Sequence, residues 1–449
     1  MSTDPSFQST GLLKEDVTAP SKKVLIVTYY WPPSGGSGVQ RWLKLVKYLP
    51  SFGWKPYIYT PENPSFEIRD DTLLADVPPE AVIIRRPIWE PYTLFKTVSK
   101  VVGGKPVNQI DMVSADRKSF FQKVSSWVRG NVFIPDPRVM WVAPSYKFLK
   151  KYIVENDIKV VVTTGPPHSL HLIGLKLRKK FPAIKWIADF RDPWSEWDLL
   201  DTLSLSARAR EKHRRLEKNV LKNADRVLTI APFHVTRFGM LGERPVDLLT
   251  NGFDEDDFRS IVRVRTTRFT IRHIGQVDEL RDPRPFMEEL KKLAVSSSDI
   301  RDHLYLEFVG PVNTNFKTYV ESDEILSGVT KFKPPLRHTD LLQLYGSTDM
   351  QLLVLAHTAL APGNLPGKLF EYLASGNFIF GIGPADGDAA AILSQTHAGI
   401  MIERSDPVKI GEALLQRFNI WKSGAAEKDR DVSAFSRRLL AKKLAGFLD

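Results

Sequence analysis

Asn364-Leu365-Pro366-Gly367-Lys368-Leu369-Phe370-Glu371-Tyr372-Leu373-Ala374-Ser375-Gly376 decides how this chain is read. Pro366 suits the first turn of a helix, where its missing N–H costs nothing, and Gly376 suits the stop. A helix is therefore predicted from about Pro366 to Ser375. Lys368 and Glu371 then share a face at spacing i, i+3. The lysine stands beside the free N–H groups and positive dipole end, a favourable place for phosphate, and the carboxylate one turn on can accept two sugar hydroxyls. Read blandly, the same residues are a surface pair worth a few tenths of a kcal/mol, about 0.2–0.5. The context favours the site: Met350 to Leu355 is apolar enough for a buried strand, and a Gly/Pro-containing loop joins it to the helix. The helix thus opens at the carboxyl end of a strand, where open α/β sheets bind ligands.

A chain of 449 residues exceeds one ordinary core, and its 43% hydrophobic content supports well-packed domains. It has no cysteine, which removes disulfides, thiolate metal sites and cysteine nucleophiles and suits a reducing compartment. The nine histidines form no His-Glu-x-x-His run, so no metal and no cofactor are expected. No apolar run reaches the roughly 18 residues that span a bilayer, and the first residues lack the order of a signal peptide. Of the net charge of +11, residues 1–260 carry +10 and residues 261–449 carry +1. A basic field on one half points to an anionic partner there: nucleic acid, an anionic membrane surface or a phosphate-bearing acceptor.

Residues 1–21 read as a disordered polar tail. Strand 23–28 then leads through Tyr29 to Gly38 into a helix with Val39, Trp42, Leu43, Val46 and Leu49 on one face, opening a βαβ unit. Gly35, Gly36 and Gly38 let backbone approach a ligand, although the loop has neither the G-x-G-x-x-G nor the P-loop spacing. Strands follow at 55–60 and 81–85. Periodicity fails from Pro87 to Pro144, where aromatics and cations mix, and resumes with strands at 159–164 and 185–190 around a helix from Ser169 to Lys180. Arg191-Asp192-Pro193-Trp194 stands at a carboxyl strand end. Helix 206–224 carries seven cations, either as a solvated face or as a membrane contact, each basic group near an anionic leaflet contributing about 1 kcal/mol. After a strand at 226–230 the first domain ends near residue 260. The second half repeats the alternation, with strands at 269–274, 304–309, 329–333, 350–355, 378–381 and 399–402. The final helix, Val432 to Leu448, can cross back onto the first domain. This alternation implies two Rossmann-like, doubly wound α/β domains facing across a cleft.

The Gly35–Gly38 loop, the Asn251-Gly252-Phe253-Asp254 exit, Gly275 with Arg281, and the Pro366–Gly376 run together resemble a retaining, GT-B-fold glycosyltransferase of family 4, over nearly the whole chain from residue 22. Pro135-Asp136-Pro137-Arg138 and Asp189-Phe190-Arg191-Asp192-Pro193-Trp194 are similar to motifs of bacterial surface-polysaccharide enzymes. The resemblance implies an N-terminal acceptor-binding domain over 22–260, a C-terminal nucleotide-sugar-binding domain over 261–430, and a C-terminal helix over 431–449. It implies that Glu371 holds the ribose, that Arg281 and Lys368 neutralise the diphosphate, and that the Gly35–Gly38 loop closes over it. Gly275, Gln276, Gly310, Phe332, Asn364, Leu365, Gly367 and Leu369 complete the donor site it implies. Two fixed cations and helix-end N–H groups can stabilise a departing diphosphate without a metal.

The chain departs from that family pattern at three positions. Gly363 stands where a first carboxylate is usual, Gln276 where an arginine is usual, and Arg191 where many relatives carry a histidine. Asp189, Arg191, Asp192 and His168 are then the candidates for positioning the acceptor, with helix capping or packing an equal reading of His168. Asp386-Gly387-Asp388 reads as a turn in which Asp388 caps the next helix. The expected activity is sugar transfer to a lipid-linked or saccharide acceptor in cell-surface polysaccharide biosynthesis, by a cytoplasmic protein peripheral on the inner membrane face. A sugar-nucleotide epimerase and a non-catalytic nucleotide-binding or scaffold subunit are the alternatives. Nucleic acid is not an expected partner, because the basic residues lack an aromatic-interleaved recognition motif.

Overall fold

The computed structural model describes residues 22–65, 69–90, 120–197, 200, 202–259, 261–425 and 430–449. The tail expected over 1–21 and the aromatics Tyr92 and Phe95 lie outside these residues. Two parallel sheets organise the chain. The first contains β1 (Lys22–Val27), β2 (Trp54–Pro61), β3 (Val82–Arg86), β4 (Val160–Gly165), β5 (Lys185–Phe190), β6 (Arg226–Thr229) and β7 (Asp247–Leu248), in the order β3-β2-β1-β4-β5-β6-β7. The second contains β8 (Phe269–Ile274), β9 (Leu304–Val309), β10 (Thr330–Lys333), β11 (Met350–Val354), β12 (Phe378–Ile382) and β13 (Gly399–Ile402), in the order β10-β9-β8-β11-β12-β13. Strand β7 is an addition, since two residues give too little periodicity to register.

Both sheets are covered on both faces, which is why runs such as Val160-Val161-Val162 are apolar without alternation. In the first lobe, Trp42, Val46 and Leu49 pack on one face together with Leu440, Leu444 and Leu448. Leu149, Ile173 and Val220 cover the other. In the second lobe, Phe286, Leu290 and Phe418 fill one face, and Leu369, Tyr372 and Leu393 the other. The basic helix, Ala207–Asn223, follows the same logic. Ala209, His213, Glu217, Val220 and Leu221 are buried, while Arg208, Arg214 and Arg215 face outward. The Pro87–Pro144 region contains a helix, Phe120–Asn131, and a short 3-10 turn, Pro137–Trp141. Trp141 is buried there, whereas Trp89 and Trp127 are exposed.

The chain crosses between lobes twice, and the two crossings are stitched together. Phe253 N–H donates to Phe435 O (3.0 Å) and Arg437 N–H donates to Phe253 O (2.8 Å). The last helix spans Arg437–Leu448, not Val432–Leu448 as the pattern predicted. Ser436 breaks the run, because its extended backbone and side-chain oxygen cap the Leu439 N–H, leaving Ser433–Phe435 as a separate turn. The lobes also meet at their carboxyl edges. Asp388, the first residue of the helix that follows β12, accepts from the Phe233 N–H just after β6 (2.9 Å). Its expected role is thereby corrected: Gly387 starts the helix Asp388–Gln395, and the Asp388 carboxylate caps the helix Pro232–Gly242 of the other lobe. Because each contact comes from the carboxyl end of its sheet, the two ligand-binding edges face each other.

Candidate functional site

In each sheet the strand order reverses once, between β1 and β4 and between β8 and β11. At the second reversal β8 and β11 pair only through Ile271 and Arg272. Beyond that point side chains replace the ladder. His273 Nδ1 bonds the Leu352 carbonyl (2.9 Å), and the Tyr372 hydroxyl donates to Ile274 O (3.3 Å) while accepting from Ile274 N–H (2.9 Å). The loop after β8 is tied to that after β11 by His357 N–H to Leu280 O (2.9 Å). Gly275 and Gly310, at φ +136° and +135°, stack the loops after β8 and β9 so closely that a Cβ on Gly310 would lie 2.6 Å from Gly275 O.

The helix Gly367–Ser375 starts on this platform. Pro366 is its N-cap residue and not a member of its first turn. No side chain caps it and no acid sits in its first turn, so its positive end remains open ahead of Leu369, whose N–H already has a backbone acceptor. Lys368 Nζ lies 3.4 Å from His273 Nε2, and a Cβ on Gly275 would come within 2.9 Å of it. Burial, then the Arg281 charge, pull the lysine down to about 7 against the opposing pull of Asp278 and Glu371. Arg281 is fixed by Asp278, which accepts from its Nη1 (2.6 Å) and backbone N–H (2.8 Å). Gln276 donates to the same carboxylate (3.0 Å) and so supports the arginine without adding charge. Glu371 accepts from the Tyr345 hydroxyl (2.8 Å). The structure thus gathers Arg281, Lys368, Gly275, Gln276, Gly310, Gly367 and Glu371 at one sheet edge.

Leu365 and Leu369 turn their side chains into the second lobe's core, and the Leu369 N–H is taken by Pro366 O (3.0 Å), so these side chains support the helix from behind. Phe332 stacks on Phe308 (5.6 Å between centroids) at the end of β10. Asn364 is half-buried just before the helix. Gly363, the missing carboxylate, has a steric cause: a Cβ there would meet Phe233 Cδ1 at 2.6 Å and His234 Nε2 at 3.0 Å.

The first lobe brings its candidates to the reversal between β1 and β4, with different fates. Gly36 (φ +85°) is exposed and starts the helix Ser37–Tyr48 with no side-chain cap. A Cβ on Gly38 would stand 3.2 Å from the Tyr30 ring, and Gly35 is half-buried beside it. Asp189 is wholly buried. It accepts from Arg41 Nη2 (2.7 Å), Trp42 Nε1 (2.8 Å) and Thr164 Oγ1 (2.9 Å), and so locks that helix to the sheet. Arg191 donates to the carbonyls of Gly165, Gly38 and Pro166, which makes it the clasp between the two loops. His168 lies against the Pro193 backbone and stacks on Trp194 (5.3 Å, 7°). Burial, with His171 nearby, pushes it well below the ordinary imidazole value, so packing is its observed role. Asp192 makes no hydrogen bond among the described residues, and burial raises its carboxyl. It is the carboxylate at this edge left available to a ligand.

Sequence reasoning missed His273, Asp278, Tyr345, Tyr372 and the Phe233–His234 contact. A histidine beside Arg272 inside the Phe269–Ile274 strand, whose alternate residues Phe269 and Ile271 are apolar, was the one visible signal among them. No helix among the described residues is long and apolar enough to cross a membrane. Comparison with protein-family models gave no match, and comparison with curated protein sequences gave none. Among solved structures, the chain is similar to a glycosyltransferase from Rickettsia africae ESF-5 (14% identity, TM-score 0.61, covering 95% of this chain and 97% of that one). It is similar to WaaG, a glycosyltransferase involved in lipopolysaccharide biosynthesis (13%, 0.56, 95% and 99%). It is also similar to a putative UDP-N-acetylglucosamine 2-epimerase from Listeria monocytogenes (10%, 0.51, 94% and 95%). The chain has the GT-B fold that these structures share.

Proposed function

We propose that this protein is a retaining glycosyltransferase that moves a sugar from a nucleotide-diphosphate donor, held by the second lobe, to an acceptor held by the first. One observation carries the reading: Lys368 and Arg281 converge with an uncapped helix start at the β8/β11 reversal, and Glu371 stands one turn further on. A departing diphosphate gathers charge on its bridging oxygen, and two fixed cations with open N–H groups oppose that charge with no metal required. In this reading residues 261–430 bind the donor, residues 22–260 bind the acceptor, and 431–449 brace the first lobe. The Gly35–Gly38 loop closes from across the interface, and Asp192 orients the acceptor hydroxyl. The one-sided charge and the similarity to a lipopolysaccharide enzyme support a lipid-linked or saccharide acceptor at an anionic cytoplasmic membrane face.

The test is nucleotide release from UDP-, GDP- and dTDP-sugars with a membrane extract as acceptor source. Lys368→Ala is expected to lower turnover by about 10²–10³, as loss of one charge-stabilising donor does. Glu371→Ala should mainly weaken donor binding, and Asp192→Asn should lower turnover at unchanged donor affinity. If Lys368→Ala and Glu371→Ala both bind donor and turn over like the parent, the site assignment is wrong. Product analysis separates transfer from epimerisation, which would release sugar without an acceptor.

A further inference from the structure

We propose that His273 and Lys368 make donor capture proton-coupled: a nucleoside diphosphate enters together with one proton, taken up on Lys368 Nζ, and His273 is the positioning residue that fixes that amine. The inference rests on the donor-site reading and adds the protonation state of the site to it.

Among the described residues, Lys368 has no carboxylate partner of its own. The two acids whose fields reach it are both engaged elsewhere, Asp278 by Arg281 and Gln276 on the loop after β8, and Glu371 by Tyr345 on the helix His338–Gly346. Arg281 faces it with like charge. What Nζ does meet is a neutral acceptor. The Leu352 carbonyl can only receive a hydrogen bond, so His273 Nδ1 carries the ring proton and Nε2 presents its lone pair to Lys368. Burial, with Lys368 beside it, holds His273 down to about 3, so the ring stays neutral. This histidine is wedged where the β8–β11 ladder stops, a rigid mount for the amine. The lysine is therefore poised near neutrality in the free protein, and a diphosphate arriving at the helix start supplies the anion that its ammonium lacks.

The sign follows from linkage. The free amine titrates at about 7; bound phosphate raises that value, so a proton is taken up wherever pH lies between the two, and affinity falls there by up to about tenfold per pH unit. Terminal phosphate itself titrates near pH 6, so measurements at about pH 8 isolate the protein's proton.

The experiment is calorimetric titration of the full-length protein with UDP, GDP and dTDP in HEPES and in Tris, buffers of different ionisation enthalpy. For the nucleotide that binds, the buffer dependence should report uptake of about 0.9 proton at pH 8 and about 0.5 at pH 7. Lys368→Met should abolish the uptake. His273→Asn keeps a donor for the Leu352 carbonyl and removes Nε2. It should fold with the parent's Tm, weaken binding about tenfold at pH 8, and move the proton count at pH 7 toward one, because the ammonium has lost an acceptor. Enthalpies identical in both buffers with affinity flat from pH 7 to 9 would overturn proton coupling and leave the donor site standing. A His273→Asn variant with the parent's affinity and proton count would overturn the role of His273. Failure of all three nucleotides to bind the parent at any pH would overturn the inference and the donor reading together.

Discussion

A methyl group on residue 363 would stand 2.6 Å from a ring carbon of Phe233, on the opposite lobe. The glycine is therefore a spacing device between the facing edges, and it takes the position where the family resemblance implies a carboxylate. Gly363→Ala should cost about 1–3 kcal/mol, the usual price of overpacking, seen as a lower Tm. Gly446→Ala is the control: it lies inside the helix Arg437–Leu448 with nothing within 4 Å of the added carbon. There alanine should stabilise by roughly 0.5–1 kcal/mol through reduced chain entropy. If the two substitutions behave alike, the contact with Phe233 has no energetic weight. At the same scale Asp189 and Asp192, three residues apart, separate cleanly. The first is saturated by Arg41, Trp42 and Thr164, and the second remains available.

Among the elements, the helix Arg437–Leu448 is the least autonomous. Its apolar face, Leu440, Ala441, Leu444, Ala445 and Leu448, is covered only by the first lobe, chiefly by the helix Ser37–Tyr48. Leu444 is fully buried there, so Leu444→Ala should destabilise by about 2–5 kcal/mol in urea unfolding followed by fluorescence. A change under 1 kcal/mol would mean that the helix is an appendage. The basic helix Ala207–Asn223 shows the reverse case, an element whose outward charge hides a polar inner face. Its acid Glu217 faces inward and accepts from the Trp194 and Ser195 backbone, while Lys218 and Lys222 share Glu243.

Across the whole molecule, a charged cluster binds the crossing between lobes. Asp254 accepts from Lys44 (2.9 Å), Lys47 (2.7 Å) and Tyr48, while Asp257 takes Lys44 (2.8 Å) and faces His338 of the second lobe (3.3 Å). Burial pushes the Asp254 carboxyl up, but Lys44 and the hydrogen bonds outweigh it and hold it down to about 2. A depressed carboxyl contributes stability that is complete above its unfolded value, about 3.9, and is lost as pH falls through the folded one. Stability should therefore drop between about pH 4 and pH 2. Asp254→Asn should cost about 1–3 kcal/mol at pH 7, because Lys44 loses one of its three carboxylates and keeps Asp257 and Asp76, and should flatten that acid limb. Urea titrations at pH 7, 4 and 3 check both; an acid limb that survives unchanged in Asp254→Asn would remove the cluster from the account. His338 is raised despite burial, through Asp257 and Glu371, so its contribution runs the other way: present below about 6.5 and lost as pH rises through the folded value.

Strand positions, the two doubly wound units and the Lys368–Glu371 helix were legible in sequence, because parallel strands buried on both faces write continuous apolar runs and a helix start is marked by Pro and Gly within a few residues. Those signals are local, and local spacing is what a sequence records. The partner of each polar group was not legible. Asp189 reads like a site acid until Arg41, 148 positions away, is seen to close on it. Asp388 reads like a cap of its own helix until a helix of the other lobe takes it. His273 gives no sign of facing Lys368, 95 positions on. By itself the sequence determined which segments become strands and helices and which helix start carries a lysine and no acid in its first turn. Only the tertiary structure decided which charges are cancelled and which remain for a ligand, because burial and pairing between residues far apart in the chain set those balances.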